Sequence, residues 1–159
     1  MTNLNFNELV QELFLFLASE FGCELISSTS DTYGHYVTYK NNFTGVKINH
    51  EFRERDVIVE LVKLKSGTFP EYPVFFNAKD DLNYANLLDV VAVKDPHHKV
   101  QSNLGFLSLF RRNNDLELKR ILSLLADAVR QYASEELRGN FSSFERVKAL
   151  VSKRSSKMD

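Results

Sequence analysis

Few side chains in this chain are of a type and spacing that could do chemistry. The single cysteine, Cys23, could act as a nucleophile with His35 or His50 as its base, with Asp56 among the scattered residues that could complete such a site. A thiol nucleophile needs a base within hydrogen-bond reach and a third group to orient it. Nothing in the spacing supplies that arrangement, and a lone cysteine directly after Gly22 reads more simply as a buried apolar residue. His97 and His98, with Asp95 beside them, are the first place to look for a metal. Adjacent histidines on an extended loop point apart, and neither the helical i, i+4 spacing nor the paired cysteines of zinc sites accompany them. An exposed polar loop is the expectation there, and no metal or other cofactor is implied. His50 follows Val46 and Ile48 on the dry side of an alternating segment and is expected to be a hydrogen-bonded core residue, whereas His35 lies nearer a loop and is expected to be more exposed. The sequence has no glycine-rich phosphate loop and no Gly-x-Ser-x-Gly elbow.

Charge and aromatic side chains suggest binding instead. Arg53-Glu54-Arg55-Asp56 is a dense charged turn. It is ordinary as a solvated hairpin tip, yet arginine also anchors interfaces well. Tyr33, Tyr36 and Tyr39 place amphipathic rings close by in sequence. The candidate partner-binding residues are therefore Tyr33, Tyr36, Arg53, Glu54, Arg55 and Asp56. Past residue 137, Arg138, Arg146, Lys148, Lys153, Arg154 and Lys157 outweigh Glu145 and Asp159, an imbalance that suits a solvated helix face.

Composition narrows the classes. With 20 basic against 21 acidic residues, a net charge of −1 argues against a dedicated nucleic-acid binder, which carries a basic surplus to neutralise phosphates. One cysteine allows no internal disulfide, which suits a reducing cytoplasm. Glu8 and Glu12 interrupt the first apolar run and no basic segment precedes it, so no secretory signal or membrane span is expected. A length of 159 residues with 43% hydrophobic content fits one globular domain spanning 1–159, with a frayed tail from about 154.

The elements that would position these residues follow from periodicity. Helical spacing predicts a first helix over 5–21, capped by Asn5 and Glu8 and stopped by Gly22. Residues 24–27 could be a short strand, and 28–34 read as a loop. His35 to Phe52 alternates apolar and polar residues, which predicts two strands joined near Asn41, Asn42 and Gly45. After the charged turn, Val57–Leu64 is apolar on both faces and should be a central strand covered on both sides. Phe69-Pro70-Glu71-Tyr72-Pro73 cannot be helical, Val74–Asn77 suits an edge strand, and Asp80 could cap a short helix through Leu82, Leu87 and Leu88. Residues 89–94 fit helix or strand equally, 95–103 read as a surface loop, and 104–110 remain unassigned. Asn114 with Glu117 opens a helix closed by Arg138 and Gly139, and Ser142 with Glu145 forms a capping box for a last one. The expected fold is α+β: an antiparallel meander sheet of about four to five strands packed against N-terminal and C-terminal helices.

Several phrases together resemble small bacterial single-domain proteins of the polymorphic-toxin immunity type. They are Tyr39-Lys40-Asn41 leading into Thr44-Gly45-Val46-Lys47-Ile48, the Phe52-Arg53-Glu54-Arg55 turn, the strand Val57–Leu64, Gly67-x-x-Pro70, and Leu137-Arg138-Gly139-Asn140-Phe141-Ser142-x-Phe144 within the closing stretch from Tyr132 to Arg154. The resemblance implies a cytoplasmic, non-catalytic protein that neutralises a partner toxin by masking its surface. It carries over no site residues, because immunity proteins share no catalytic signature. Two alternatives remain: an enzyme assembled from the scattered cysteine, histidine and aspartate residues, and a structural subunit or homo-oligomer, which the broad apolar face of the first helix would suit.

Overall fold

Alternation in the middle of the chain becomes a five-stranded antiparallel sheet whose spatial order is its sequence order. A computed structural model describes residues 5–54, 56–73, 77, 79–97 and 115–157. The strands are β1 (Glu24–Ser30), β2 (Gly34–Lys40), β3 (Thr44–Glu51), β4 (Asp56–Lys63) and β5 (Tyr84–Asn86). The helices are α1 (Phe6–Leu13), α2 (Phe16–Phe21), α3 (Leu87–Lys94), α4 (Asp115–Tyr132), α5 (Ser134–Leu137) and α6 (Ser142–Ser156). The α+β expectation holds, with helices from both ends of the chain on one face of the sheet.

Register fixes which side chains meet those helices. Val37, Ile48 and Val59 lie opposite one another across β2, β3 and β4, as do Tyr39, Val46 and Leu61, and all are buried. Phe6, Leu9, Val10, Phe14 and Leu17 cover them from the N-terminal helices, and Leu122, Leu125 and Val129 do so from α4. Each such fully buried side chain contributes about 1.5–3 kcal/mol of transfer free energy. On the other face of the sheet, Val62, Leu64 and Tyr84 form a second, smaller cluster with Phe69. This explains the doubly apolar pattern of β4.

Several boundaries differ from the periodicity reading, each for a local reason. The first helix is two helices, broken at Phe14 and Leu15. Phe14, Phe16 and Leu17 are all buried while Leu15 is exposed, and one straight helix cannot turn neighbours 14 and 16 toward the same core. Residues 28–30 belong to β1 and not to a loop. Every residue of β1 is exposed, so pairing with β2 defines it and alternation gave no signal. A bulge at Ile26 interrupts its register. Asp80 caps no helix; Tyr84–Asn86 pairs with β4, and Asn86 caps α3 by accepting from the Leu88 N–H at 2.9 Å. The ambiguous stretch 89–94 is helical. The helix from 115 stops at Tyr132, and a separate turn, α5, reaches Leu137. Ser142 does not cap α6; its N–H instead donates to Asn140 Oδ1 at 3.1 Å. That helix continues through Ser156, so the tail expected from 154 is helical at its start. The edge strand at 74–77, the loop beyond His97, the segment 104–110 and the Asn114 cap fall on or run into residues outside those described.

Gly45 is demanded by packing and not by a turn. It lies in β3, and a Cβ there would stand 2.3 Å from the Phe69 ring, so the ring lies directly on the glycine backbone. Two cations of the basic C-terminal segment also serve the fold. Arg146 donates to Val93 O at 2.9 Å and Arg154 pairs with Asp89 at 2.8 Å, both pinning α6 to α3.

Candidate functional site

A meander brings alternate turns to the same end of its sheet. The β1–β2 turn, with Tyr33, therefore lies beside the β3–β4 turn, with Arg53 and Glu54. The Phe52 N–H donates to Tyr33 O at 2.9 Å, which ties one turn to the other. Tyr33 is 74% exposed, and Arg53, Glu54 and Asp56 are exposed as well. Tyr36 lies on the sheet face away from the helices, opposite Asn49 in the register. Arg55 lies outside the described residues. The fold thus gathers Tyr33, Arg53, Glu54 and Asp56 at one end of the sheet, with Tyr36 at the adjacent margin of the outer face.

The patch is built on stiff turns. Asp31 Oδ1 accepts from the Tyr33 N–H at 2.7 Å and the Gly34 N–H at 3.0 Å, closing the first turn. Gly34 permits the close crossing that follows, since a Cβ there would stand 2.3 Å from His50 O. Two residues of this patch were not among the sequence candidates. Asp31 could have been found from its turn chemistry ahead of Gly34. Phe52 continues the apolar parity of β3 and reads as core, yet it sits past the strand end and is 41% exposed. Partial burial, with Asp31 and Glu51 nearby, raises the Tyr36 phenol above its ordinary value.

Beneath the turns the helix-facing side holds an aromatic box. His35 and His50 are directly opposite across β2 and β3, with ring centroids 6.0 Å apart. Phe6 lies 5.4 Å from each, and Phe52 meets both edge-on at 5.1 and 5.5 Å. His35 is half-buried, not exposed, and its Nδ1 lies 2.6 Å from Ser30 Oγ. His50 is half-buried too, but its Nδ1 has no hydrogen-bond partner, contrary to the expected core histidine; the buried Asn7 Oδ1 is likewise unpartnered. Desolvation first, and then the neighbouring His35, lower the His50 pKa, while Asp56 acts in the opposite direction.

The other candidate chemistry does not assemble. Cys23 is 4% exposed and close to Tyr39, and burial pushes its thiol up to about 11, far from the thiolate a nucleophile requires. Tyr39 lies four residues along β2 from His35, roughly 13 Å at the usual rise of a strand, so the cysteine and the histidines occupy opposite ends of the sheet. His97 is exposed and His98 lies outside the described residues. Among the described residues no group of three histidine, cysteine or carboxylate side chains could hold a metal ion, and no helix is long and apolar enough to cross a membrane.

Among the described residues the most heavily buried charge had no signal in the sequence. Glu136 is fully buried, pairs with Lys94 at 2.5 Å and accepts from Ser143 Oγ at 2.6 Å. Lys94 also donates to Tyr132 O at 2.6 Å, and Thr44 Oγ1 donates to Glu136 O at 2.5 Å. These bonds join α3, α5, α6 and the start of β3. Every oxygen of the carboxylate has a partner, which makes this a structural lock. A second polar group lies on the outer face, where Lys47 is opposite Glu60 and reaches over the rings of Phe69 and Tyr84 at 5.3 and 5.4 Å. Tyr72 Oη donates to Glu60 at 3.4 Å and Tyr84 Oη to Pro70 O at 2.5 Å, so these groups fasten the 69–73 strap to the sheet. No protein-family model, curated protein or solved structure matches this chain.

Proposed function

We propose that this is a non-catalytic protein-binding protein, an immunity or inhibitor protein that neutralises a partner toxin by covering its surface with the β1–β2 and β3–β4 turns. The observation that carries the reading is the hydrogen bond from the Phe52 N–H to Tyr33 O, which makes one surface of two turns distant in sequence. Tyr33 and Phe52 provide exposed aromatic area, and rings and arginines are the side chains that carry most interface energy. Asp31, Glu51, Glu54 and Asp56 outnumber Arg53 and Arg55 in these turns, so the surface complements an electropositive partner. Turns closed by side-chain and backbone hydrogen bonds lose little freedom on docking. Masking would need an interface of ordinary size, about 800 Å² per partner, larger than the turns alone and extending along the outer face past Tyr36.

The test is affinity capture from lysate of the source cells with the tagged wild-type chain and with a Tyr33→Ala/Arg53→Glu variant, read by mass spectrometry. The expected result is one stoichiometric partner on the wild-type chain that the variant loses, both having the same thermal midpoint. A partner retained equally by the variant, or catalytic turnover by the purified chain, would sink the proposal.

A further inference from the structure

The opposite end of the sheet carries a groove whose chemistry is the reverse. It encloses about 540 Å³ between the β2–β3 turn, the end of β4, the Ser66–Gly67 turn and the α5–α6 connection, and its walls include Phe43, Lys63, Leu64, Gly67, Gly139 and Phe141. Phe43 is 54% exposed although it lies against the backbone of Gly139, where a Cβ would come within 3.0 Å of its ring. Lys63 stands over the Phe141 ring at 5.8 Å and makes no ion pair among the described residues. Lys40 reaches Gly67 O at 3.0 Å from one side and Lys65 is adjacent in sequence to the wall residues Leu64 and Ser66, whereas the Arg138 guanidinium lies over the Phe21 ring at 4.9 Å; among the described residues no carboxylate lines the groove. The two carboxylates of α5, just ahead of the Gly139 wall, are turned to Lys94: Glu135 and Glu136 both pair with it.

We propose that this groove is a second docking site, for an acidic peptide segment of another protein that carries an aromatic side chain. Two phenyl walls take the ring and Lys63 takes a flanking carboxylate. The groove is open along one side, so it could not bury the 70–90% of surface that a small ligand needs, whereas a peptide seats one or two side chains and leaves the rest in water. Its frame is fixed beforehand, because Asn41 Nδ2 donates to Leu137 O at 2.7 Å and Thr44 is bonded to Glu136 O, so an occupant has little ordering to do. A lone cation over one ring is also a poor phosphate track, which favours a peptide over a nucleic-acid strand.

The experiment is a titration of ¹⁵N-labelled full-length chain with a ten-residue peptide of aspartate and glutamate around one central phenylalanine. Controls are the same peptide with serine at the centre, a lysine-for-acid counterpart, and single-stranded oligothymidylate. Shifts confined to Phe43, Lys63, Leu64, Gly67 and Gly139 are expected, with binding weakened about tenfold or more by Lys63→Glu and also by Phe43→Ser, and falling as salt rises. The Tyr33→Ala/Arg53→Glu variant should bind the peptide as the wild type does, so failure here is separable from failure of the toxin-masking reading. Shifts elsewhere, no shifts at all, equal binding of the lysine peptide, or tighter binding of oligothymidylate would each overturn the proposal.

Discussion

The two ends of the sheet are held together by opposite means. At the groove end, a fully buried carboxylate and its lysine, with side-chain bonds from Thr44 and Asn41 to the backbone of α5, fasten the β2–β3 connection to the helices. At the turn end, the contact between α1 and the sheet is a box of Phe6, His35, His50 and Phe52 in which two buried polar atoms, His50 Nδ1 and Asn7 Oδ1, have no partner. One end is a satisfied electrostatic lock, costly to break because each carboxylate oxygen of Glu136 has a partner. The other depends on ring packing and on histidine staying neutral, so acid weakens it. The exposed turns lie above this second kind of support: Asp31 closes the first turn with its own hydrogen bonds, and Phe52, whose ring belongs to the box, ties the second turn to it through the bond to Tyr33 O.

The sharpest way to break this contrast is at Glu136. Glu136→Leu leaves the partly buried Lys94 with only the exposed Glu135, 3.4 Å away, as counterion, and the expected loss is about 3 kcal/mol, the low end for breaking a buried pair. It should be read as a lower urea midpoint with an unchanged slope; the double variant with Lys94→Met should recover much of that loss, since an apolar pair of similar volume avoids the desolvation cost. A loss below about 1 kcal/mol in the single variant would mean that this end is not locked by charge.

A smaller effect is expected at Gly45, also at the groove end. Gly45→Ala drives a methyl into the Phe69 ring and should cost about 1–3 kcal/mol by overpacking, with partial relief when combined with Phe69→Leu. Additivity of the two substitutions would show that the strap does not lie on the glycine.

The smallest effect belongs to the turn end and depends on pH. The folded-state His50 pKa is lowered, so below the unfolded value near 6.5 the unfolded chain binds more protons than the folded one. Stability is therefore full above that value and declines as pH falls from there toward the folded pKa, with a slope of less than about 1.4 kcal/mol per pH unit for one group. Thermal midpoints between pH 7.5 and 5 should fall for the wild type and fall less for His50→Gln. Equal declines would remove His50 as the cause.

How far the sequence reaches is clearest residue by residue. Alternation from His35 to Phe52 placed β2 and β3 and assigned Val37, Val46 and Ile48 to the dry face, because side-chain direction in a strand is a local, period-two property. Asn5 as a cap and Gly22 as a stop were readable for the same reason: each acts on backbone within a few residues. The candidate turn residues were chosen from residue type alone, and their types were visible. Their adjacency was not, since it rests on a hydrogen bond between Phe52 and Tyr33 that only the order of strands creates.

Only the tertiary structure decided the rest. The exposed strand β1 has no periodic signature because neither face is buried, and it exists through its ladder with β2. Glu136 looks like any surface glutamate until Lys94 and Ser143, distant in sequence or on another helix, close around it. The separation of Cys23 from the histidines, and the facing of Phe43, Lys63 and Phe141 across one groove, are likewise products of packing. The sequence by itself determined what each segment does with its own backbone and which face it offers. Which segments meet, and hence which charges pair and which surfaces stay open, was settled by long-range burial, to which every element contributes and which no local pattern encodes.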